Sequence, residues 1–302
     1  MTLAPVVLFT YNRLTHTKAT LANLKKNILA SKTPLYIYSD GAKNNEDENS
    51  VDEVRNYLKN IEGFLSLKII ARQNNWGLAK NIIDGVSEVL QHYENVIVLE
   101  DDLLTSPYFL NYMNDALDYY EKNEAVISIH GYVYPVKEKL PDTFFIKGAD
   151  CWGWATWKSR WKLFEKDGTK LLHQLEQKSL TYQFDFEGSY YFTQMLKDQI
   201  MGKNNSWAIR WNASAFLNNK LTLYPGHSLV QNIGHDNSGV HSSESHDFDV
   251  DLYDHPILIG NIDVVESLEG HKAFTNYFRL TNPFTKQKTN FVKRLWKKVF
   301  NY

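Results

Sequence analysis

Through the first third of the chain, short apolar runs closed by polar clusters alternate with longer segments whose apolar residues recur three and four positions apart. Pro5-Val-Val-Leu-Phe-Thr10 has the continuous apolarity of a strand buried on both faces. Leu35-Tyr-Ile-Tyr38, Leu67-Lys-Ile-Ile70 and Val96-Ile-Val-Leu99 repeat the pattern. Between them the spacing predicts helices over Thr15–Leu29, with Leu21, Leu24 and Ile28 on one face, over Asn49–Asn60, with Val51, Val54 and Leu58 inward, and over Leu78–Gln91. Strands alternating with helices imply an α/β fold with a right-handed, mostly parallel sheet flanked by helices.

After Glu100 the pattern loses its regularity. A helix over Pro107–Glu121 and a strand over Val126–His130 precede a loop-rich aromatic stretch holding Trp152, Trp154, Trp157 and Trp161. Helices over Glu187–Met201 and Trp207–Leu217, a strand over Leu221–Tyr224 and a polar loop over His235–His255 complete the reading. The expected organisation is one domain in two halves, residues 1–103 and 104–260, followed by an extension over 261–302.

Composition narrows the class. With 43% hydrophobic and 23% charged residues among 302, the chain is neither disordered nor fibrous. Aromatic residues reach 14%, which suits stacking on sugars or bases and equally a thick core. One cysteine, Cys151, excludes an internal disulfide and fits a reducing compartment. The net charge of −2 conceals a basic end, because Lys286–Tyr302 carries six Lys or Arg and no acid. The remainder is acidic, which argues against nucleic acid as a partner. Within the end, Phe291, Leu295 and Val299 recur every four positions beside Lys293, Arg294, Lys297 and Lys298. That is the pattern of a basic amphipathic helix suited to peripheral contact with an anionic membrane, or of a docked helix with a solvated face. Neither a leader pattern nor a bilayer-length apolar run is evident, so the expected location is cytoplasmic, at the inner face of the membrane if the basic end engages it.

Ligands of open α/β sheets sit beyond the carboxyl ends of the strands. Those ends read Thr10-Tyr-Asn-Arg13, Ser39-Asp-Gly41, Arg72-Gln-Asn-Asn-Trp-Gly77 and Glu100-Asp-Asp102. No dinucleotide or P-loop fingerprint accompanies them. Three consecutive carboxylates after a buried strand repel one another unless a cation compensates. Mg²⁺ or Mn²⁺ would suit them, although Asp102 could also cap the helix that follows. Asp40 could accept from a base imide or simply shape an Asp-Gly turn. Arg72 could meet a phosphate, and Asn75, Gly77 and Lys80 open a helix whose N-terminus can face an anion. Trp152, Trp154 and Trp157 cannot all face one side of an element, so one is expected to meet a sugar. Arg210 could pair with a diphosphate or an acidic acceptor.

These motifs together resemble the GT-A fold of nucleotide-sugar-dependent glycosyltransferases, in particular family 2-like bacterial sugar transferases related to type I N-acetylglucosaminyltransferase. The resemblance runs over about residues 4–245 and includes Trp152–Trp157, Ser206–Trp211 and Leu229–Asp236. It implies that Glu100-Asp-Asp102 is a DxD-type motif with Asp102 on the metal and Glu100 and Asp101 beside the nucleotide. It further implies Thr10, with Asn12 and Arg13, on the nucleotide, Asp40 on the base, and His235 as a late metal or diphosphate ligand. A UDP-linked donor and a glycan or lipid-linked acceptor of surface polysaccharide synthesis follow from the same resemblance. Related inverting enzymes carry an Asp near the helix beginning at Trp207, but Gln199–Gly234 contains no acid. Asp198, Asp185, Glu187 and Asp150 remain as bases. Asp185 and Glu187 suit a helix start, whereas Asp198 sits in a last turn where the dipole disfavours it, and is the expected base unless Lys197 or Lys203 pairs with it. A retaining mechanism would need no base. A sugar-phosphate nucleotidylyltransferase, a metallo-phosphoesterase using His235, Asp236, His241, His246, Asp247 and Asp249, and a non-catalytic carbohydrate-binding protein are the competing classes.

Overall fold

The computed structural model describes residues 3–236 and 246–281. The basic end expected to be amphipathic, and His241, lie outside them. The first half builds β1 (Val6–Thr10), α1 (Leu14–Lys25), β2 (Pro34–Ser39), α2 (Asn45–Leu58), β3 (Ser66–Ala71), α3 (Leu78–His92) and β4 (Asn95–Glu100). Next come β5 (Leu103–Thr105), α4 (Phe109–Tyr119), β6 (Val126–His130), β7 (Thr143–Lys147), β8 (Trp154–Trp157) and α5 (Lys158–Trp161). The rest comprises α6 (Gly168–Gln177), α7 (Thr181–Phe184), α8 (Phe192–Ile200), α9 (Trp207–Leu217), β9 (Leu221–Pro225), β10 (Val230–Asn232) and α10 (Leu268–Thr281).

Eight strands form one sheet in the order β3-β2-β1-β4-β8-β6-β9-β7. The pairs β2/β3, β1/β2, β1/β4 and β6/β9 are parallel, whereas β8 runs antiparallel to both β4 and β6, and β7 antiparallel to β9. The sheet is α/β and mostly parallel, with apolar clusters on both faces. On one face α3 turns Ile82, Val86 and Val89 inward, each worth roughly 1.5–3 kcal/mol of apolar burial. Strands β5 and β10 form a separate antiparallel pair. Helix α10 packs Phe274 and Phe278 against Phe144, Ile146 and Tyr224.

Local chemistry moves several boundaries. Helix α2 starts at Asn45 because the Asn44 side chain accepts from the Asp47 N–H and Glu46, Asp47 and Glu48 complement the dipole. Helix α1 stops at Lys25, short of the expected Leu29. Asn27 draws the chain aside by donating to Thr105 Oγ1 and accepting from the Leu110 N–H, which leaves Ile28 exposed rather than on the inward face. The helix expected from Glu187 begins at Phe192 because Phe186, Glu187 and Gly188 all have left-handed backbone, with φ of 49°, 55° and 71°.

Candidate active site

Parallel pairing of β1 with β2 and β4 places the polar ends of three strands side by side, with Thr10 opposite Ser39 and Phe9 opposite Glu100. From the end of β4 the chain turns through Asp101 and Asp102 into β5. Its partner β10 then delivers Ile233, Gly234 and His235 to the same place, with the Ile233 N–H donating to the Asp102 carbonyl at 2.9 Å. Arg13 comes from the connection between β1 and α1. Its guanidinium donates to Asp101 Oδ1 and, at 2.8 Å, to Asp102 Oδ2.

This cluster holds more negative than positive charge. Burial, reinforced by the charges of Asp102 and Asp101, pushes Glu100 up to about 8, with Arg13 opposing. Burial also pushes Asp101 up to about 6 against the pull of Arg13. For Arg13 burial alone would lower the pKa, but the two carboxylates more than offset it and raise it above its ordinary value. Asp101 Oδ2 and His235 Nε2 are buried, with no hydrogen-bond partner among the described residues. Hard carboxylate oxygens, an orphaned oxygen and excess negative charge suit Mg²⁺ or Mn²⁺. Among the described residues no three His, Cys, Asp or Glu side chains converge as a ready cage. The residues fit an ion held by one or two carboxylates, with its remaining positions filled by phosphate oxygens and water.

A second set of contacts shapes the ends of β2 and β3. Asp40 is buried, and its carboxylate accepts from the backbone N–H groups of Gly41, Trp76 and Gly77 at 2.8–2.9 Å. The expectation that Asp40 meets a base imide is therefore corrected, since its oxygens tie two loops together. Gly41 is required where those loops meet, because a Cβ there would stand 2.4 Å from the Asn74 carbonyl carbon. Asn75 Nδ2 donates to the Gly41 carbonyl at 2.8 Å. Gly77, at φ +71°, opens α3. Arg72 is not a free phosphate ligand: it pairs with Asp84 at 2.6 Å and lies 3.9 Å from the Trp76 ring centroid. Lys80 Nζ is also 3.9 Å from that centroid. Asn12 and Tyr11 both donate to Asp47, at 3.0 and 2.8 Å. Thr10 Oγ1 is buried, with no partner among the described residues.

The second half corrects more. Trp154 and Trp157 do face opposite ways, but both sheet faces are covered and both indoles are core residues, not acceptor ligands. Only Trp152 stays half-buried, edge-on to His235 at 5.4 Å and to Tyr132 at 4.8 Å. Arg210 is buried and donates to the Ser206 and Lys166 carbonyls, so it holds α9 in place rather than facing a ligand. Asp198 pairs with Lys203 at 3.2 Å and accepts from Gln194, on a helix packed against α6, α7 and α9. The ion pair accounts for its unfavourable helix position and removes the reason for choosing it as a base. Asp185 accepts from the Thr193 N–H at 2.6 Å, and Glu187 lies 3.8 Å from Arg279.

The sequence reading named Asp150 among the remaining bases but missed the tyrosines that hold it. Asp150 Oδ2 accepts from Tyr134 at 2.9 Å and Tyr224 at 3.4 Å, and Oδ1 from the Cys151 N–H at 2.8 Å. Its only sequence signal is its place just before the tryptophans. Gly234 was missed as well. A Cβ on it would lie 2.2 Å from Asp102 Oδ2, a closeness that no local pattern announces.

The profile of the family described as "Glycosyl transferase family 2" matches residues 6–184. No curated protein matches the chain. Among solved structures, a mannosyltransferase from Pyrobaculum calidifontis in complex with GDP-Man and Mn²⁺ is 15% identical, covers 44% of this chain and 36% of its own, and has a TM-score of 0.32. TarS of S. aureus is 14% identical over 49% of this chain and 25% of its own, with a TM-score of 0.32. A cytidylyltransferase from Leptospira borgpetersenii is 12% identical over 54% and 64%, with a TM-score of 0.32. The chain thus spans about a third and a quarter of the length of the first two.

Proposed function

The chain belongs to glycosyl transferase family 2, and from that premise we propose that it moves a sugar from a UDP-linked donor to a glycan or lipid-linked acceptor with the help of a divalent metal ion. As a nucleotide-sugar glycosyltransferase of GT-A fold it must neutralise a departing diphosphate. The observation that carries the metal-dependent reading is the Asp101–Asp102 pair after the end of β4, beside Glu100 and ion-paired, among the described residues, with the single guanidinium of Arg13.

In this reading Asp102 holds the ion, with Asp101 and His235 beside it. When bound, the ion supplies Lewis-acid charge to the leaving diphosphate. Arg13 fixes both carboxylates before any ligand arrives, which lowers the reorganisation needed on binding. Asp40 closes the loop around Trp76, so that Asn75, Gly77 and Lys80 meet the nucleotide near the N-terminus of α3. Glu100, Asn12 and Thr10 line the strand ends below, and Arg72, paired with Asp84, supports the Trp76 ring from beneath. Trp152 presents its exposed indole surface to a sugar.

A nucleotidylyltransferase is disfavoured by the connection after β1. Tyr11, Asn12 and Arg13 are its whole length before α1 begins, and Arg13 is bound to the acidic cluster. We assign residues 1–103 to donor binding and 104–260 to the acceptor, in a cytoplasmic enzyme of surface polysaccharide synthesis. Among the described residues no helix is long and apolar enough to cross a membrane. The basic segment after Lys286 would bring the enzyme to an anionic membrane.

The test is release of UDP from UDP-glucose and UDP-N-acetylglucosamine with Mn²⁺ and with excess chelator. Asp102→Asn should abolish release while leaving the folded state intact. Full turnover in chelator would remove the metal from the reading.

A further inference from the structure

Segment Asp150–Gly153 leads into β8, whose antiparallel register on β4 pairs Trp154 with Val98. It therefore passes the end of β4 where Glu100, Asp101 and Asp102 sit. Gly153, at φ +67°, brings the segment onto β10, for a Cβ there would stand 2.7 Å from Val230 Cγ2. Trp152 touches His235, which follows Gly234 against Asp102. Burial raises the Cys151 thiol well above its ordinary range, and Asp150, Glu100 and Asp102 all add to that effect. Cys151 thus stands within the electrostatic reach of both Asp150 and the acids at the end of β4, in keeping with the path of the segment past that end.

The environment of Asp150 differs from that of those acids. Its side chain is 23% exposed, and no arginine or lysine pairs with it among the described residues. Tyr134 and Tyr224 orient Oδ2, while Oδ1 accepts one bond from its own loop and has a lone pair for a further donor. His130, completely buried, lies 3.9 Å from Oδ2, and among the described residues neither of its ring nitrogens has a hydrogen bond. A partly exposed carboxylate fixed by two phenols, on the segment that passes the acidic cluster, has the chemistry a base needs.

We infer that Asp150 takes the proton from the attacking acceptor hydroxyl. This rests on the proposed transfer, taken with inversion at the anomeric carbon. The acceptor O–H bond breaks as its oxygen bonds to the anomeric carbon, and the proton goes to Asp150. The bond from that carbon to the diphosphate breaks, and its electron pair leaves with the UDP. Tyr134 and Tyr224 are positioning residues.

The experiment compares wild type with Asp150→Asn, measuring UDP binding with Mn²⁺ and UDP release from UDP-glucose and UDP-N-acetylglucosamine, with water and then with azide as the nucleophile. Azide attacks without losing a proton, so it has no need of a base. The expected result is unchanged UDP binding, a loss of water-driven release of about 100-fold or more, and restoration by azide to a glycosyl azide of inverted configuration. Release by Asp150→Asn within about ten-fold of wild type, or a loss that azide leaves untouched, overturns the inference while the proposed function stands. A wild-type chain that neither binds UDP nor turns over either donor removes the proposed function and this inference with it. If the amide disrupts the tyrosine contacts, seen as lost UDP binding, Asp150→Ser takes its place with the same expectations.

Discussion

Gly234 lies so close to Asp102 that a Cβ on it would meet the carboxylate Oδ2 at 2.2 Å. The closeness follows from the β5–β10 pairing, which brings the segment after Asn232 back across the turn that carries Asp102. Gly234→Ala must push that carboxylate off its position beside Arg13. UDP release is expected to fall more than ten-fold, with a shift to higher Mn²⁺ requirement and little change in thermal stability. Unchanged Mn²⁺ dependence would show that Asp102 can move freely.

Arg13 is the counterion of Asp101 and Asp102, and its side chain is only 18% exposed. Arg13→Ala leaves the buried acids unanswered, a change that costs about 3 kcal/mol or more in comparable pairs. A metal ion at the same oxygens replaces part of the lost charge. Mn²⁺ should therefore raise the melting temperature of Arg13→Ala more than that of wild type, since a ligand stabilises the state it binds. Equal shifts in the two proteins would separate Arg13 from the metal site.

Burial lowers His130 from 6.5 to about 4, while Asp150 works in the other direction. Between those values the unfolded chain binds the proton and the folded chain does not, so stability falls as pH drops through this window. From pH 7 to pH 5 the loss from this one group is about 2 kcal/mol. Glu100 and Asp101, whose values are raised, have the opposite sign and lose stability as pH rises. Comparison with His130→Leu isolates the histidine. Urea denaturation should show wild type losing about 2 kcal/mol more than the variant between pH 7 and 5, and parallel losses would mean that His130 is protonated inside the fold.

Elements governed by their own side chains were legible in the sequence. Val6–Thr10, Val126–His130 and Trp207–Leu217 stand where apolar runs and a serine cap place them. Strand β8 was not, because Trp-Ala-Thr-Trp carries the same aromatic content whether it lies in a loop or crosses a sheet with both faces covered. Site residues divide along the same line. The triple carboxylate announces itself as adjacent acids after a buried strand. The occupation of Asp40 by Trp76 and Gly77, and of Asp150 by Tyr224, depends on partners more than thirty positions away. Asp198 misled for the converse reason, since its close neighbour Lys203 was visible and only the folded geometry shows the pair to be made.

Among the described residues, strand β8 alone joins β4, and the strands before it, to β6 and the strands beyond it in the sheet. It is hydrogen-bonded on both sides and carries a tryptophan into the core on each face. The two halves therefore have no seam along which to swing. Any closure over a ligand must be made by the loops above the sheet, and the angle between the two halves is set when the chain folds, before any ligand arrives.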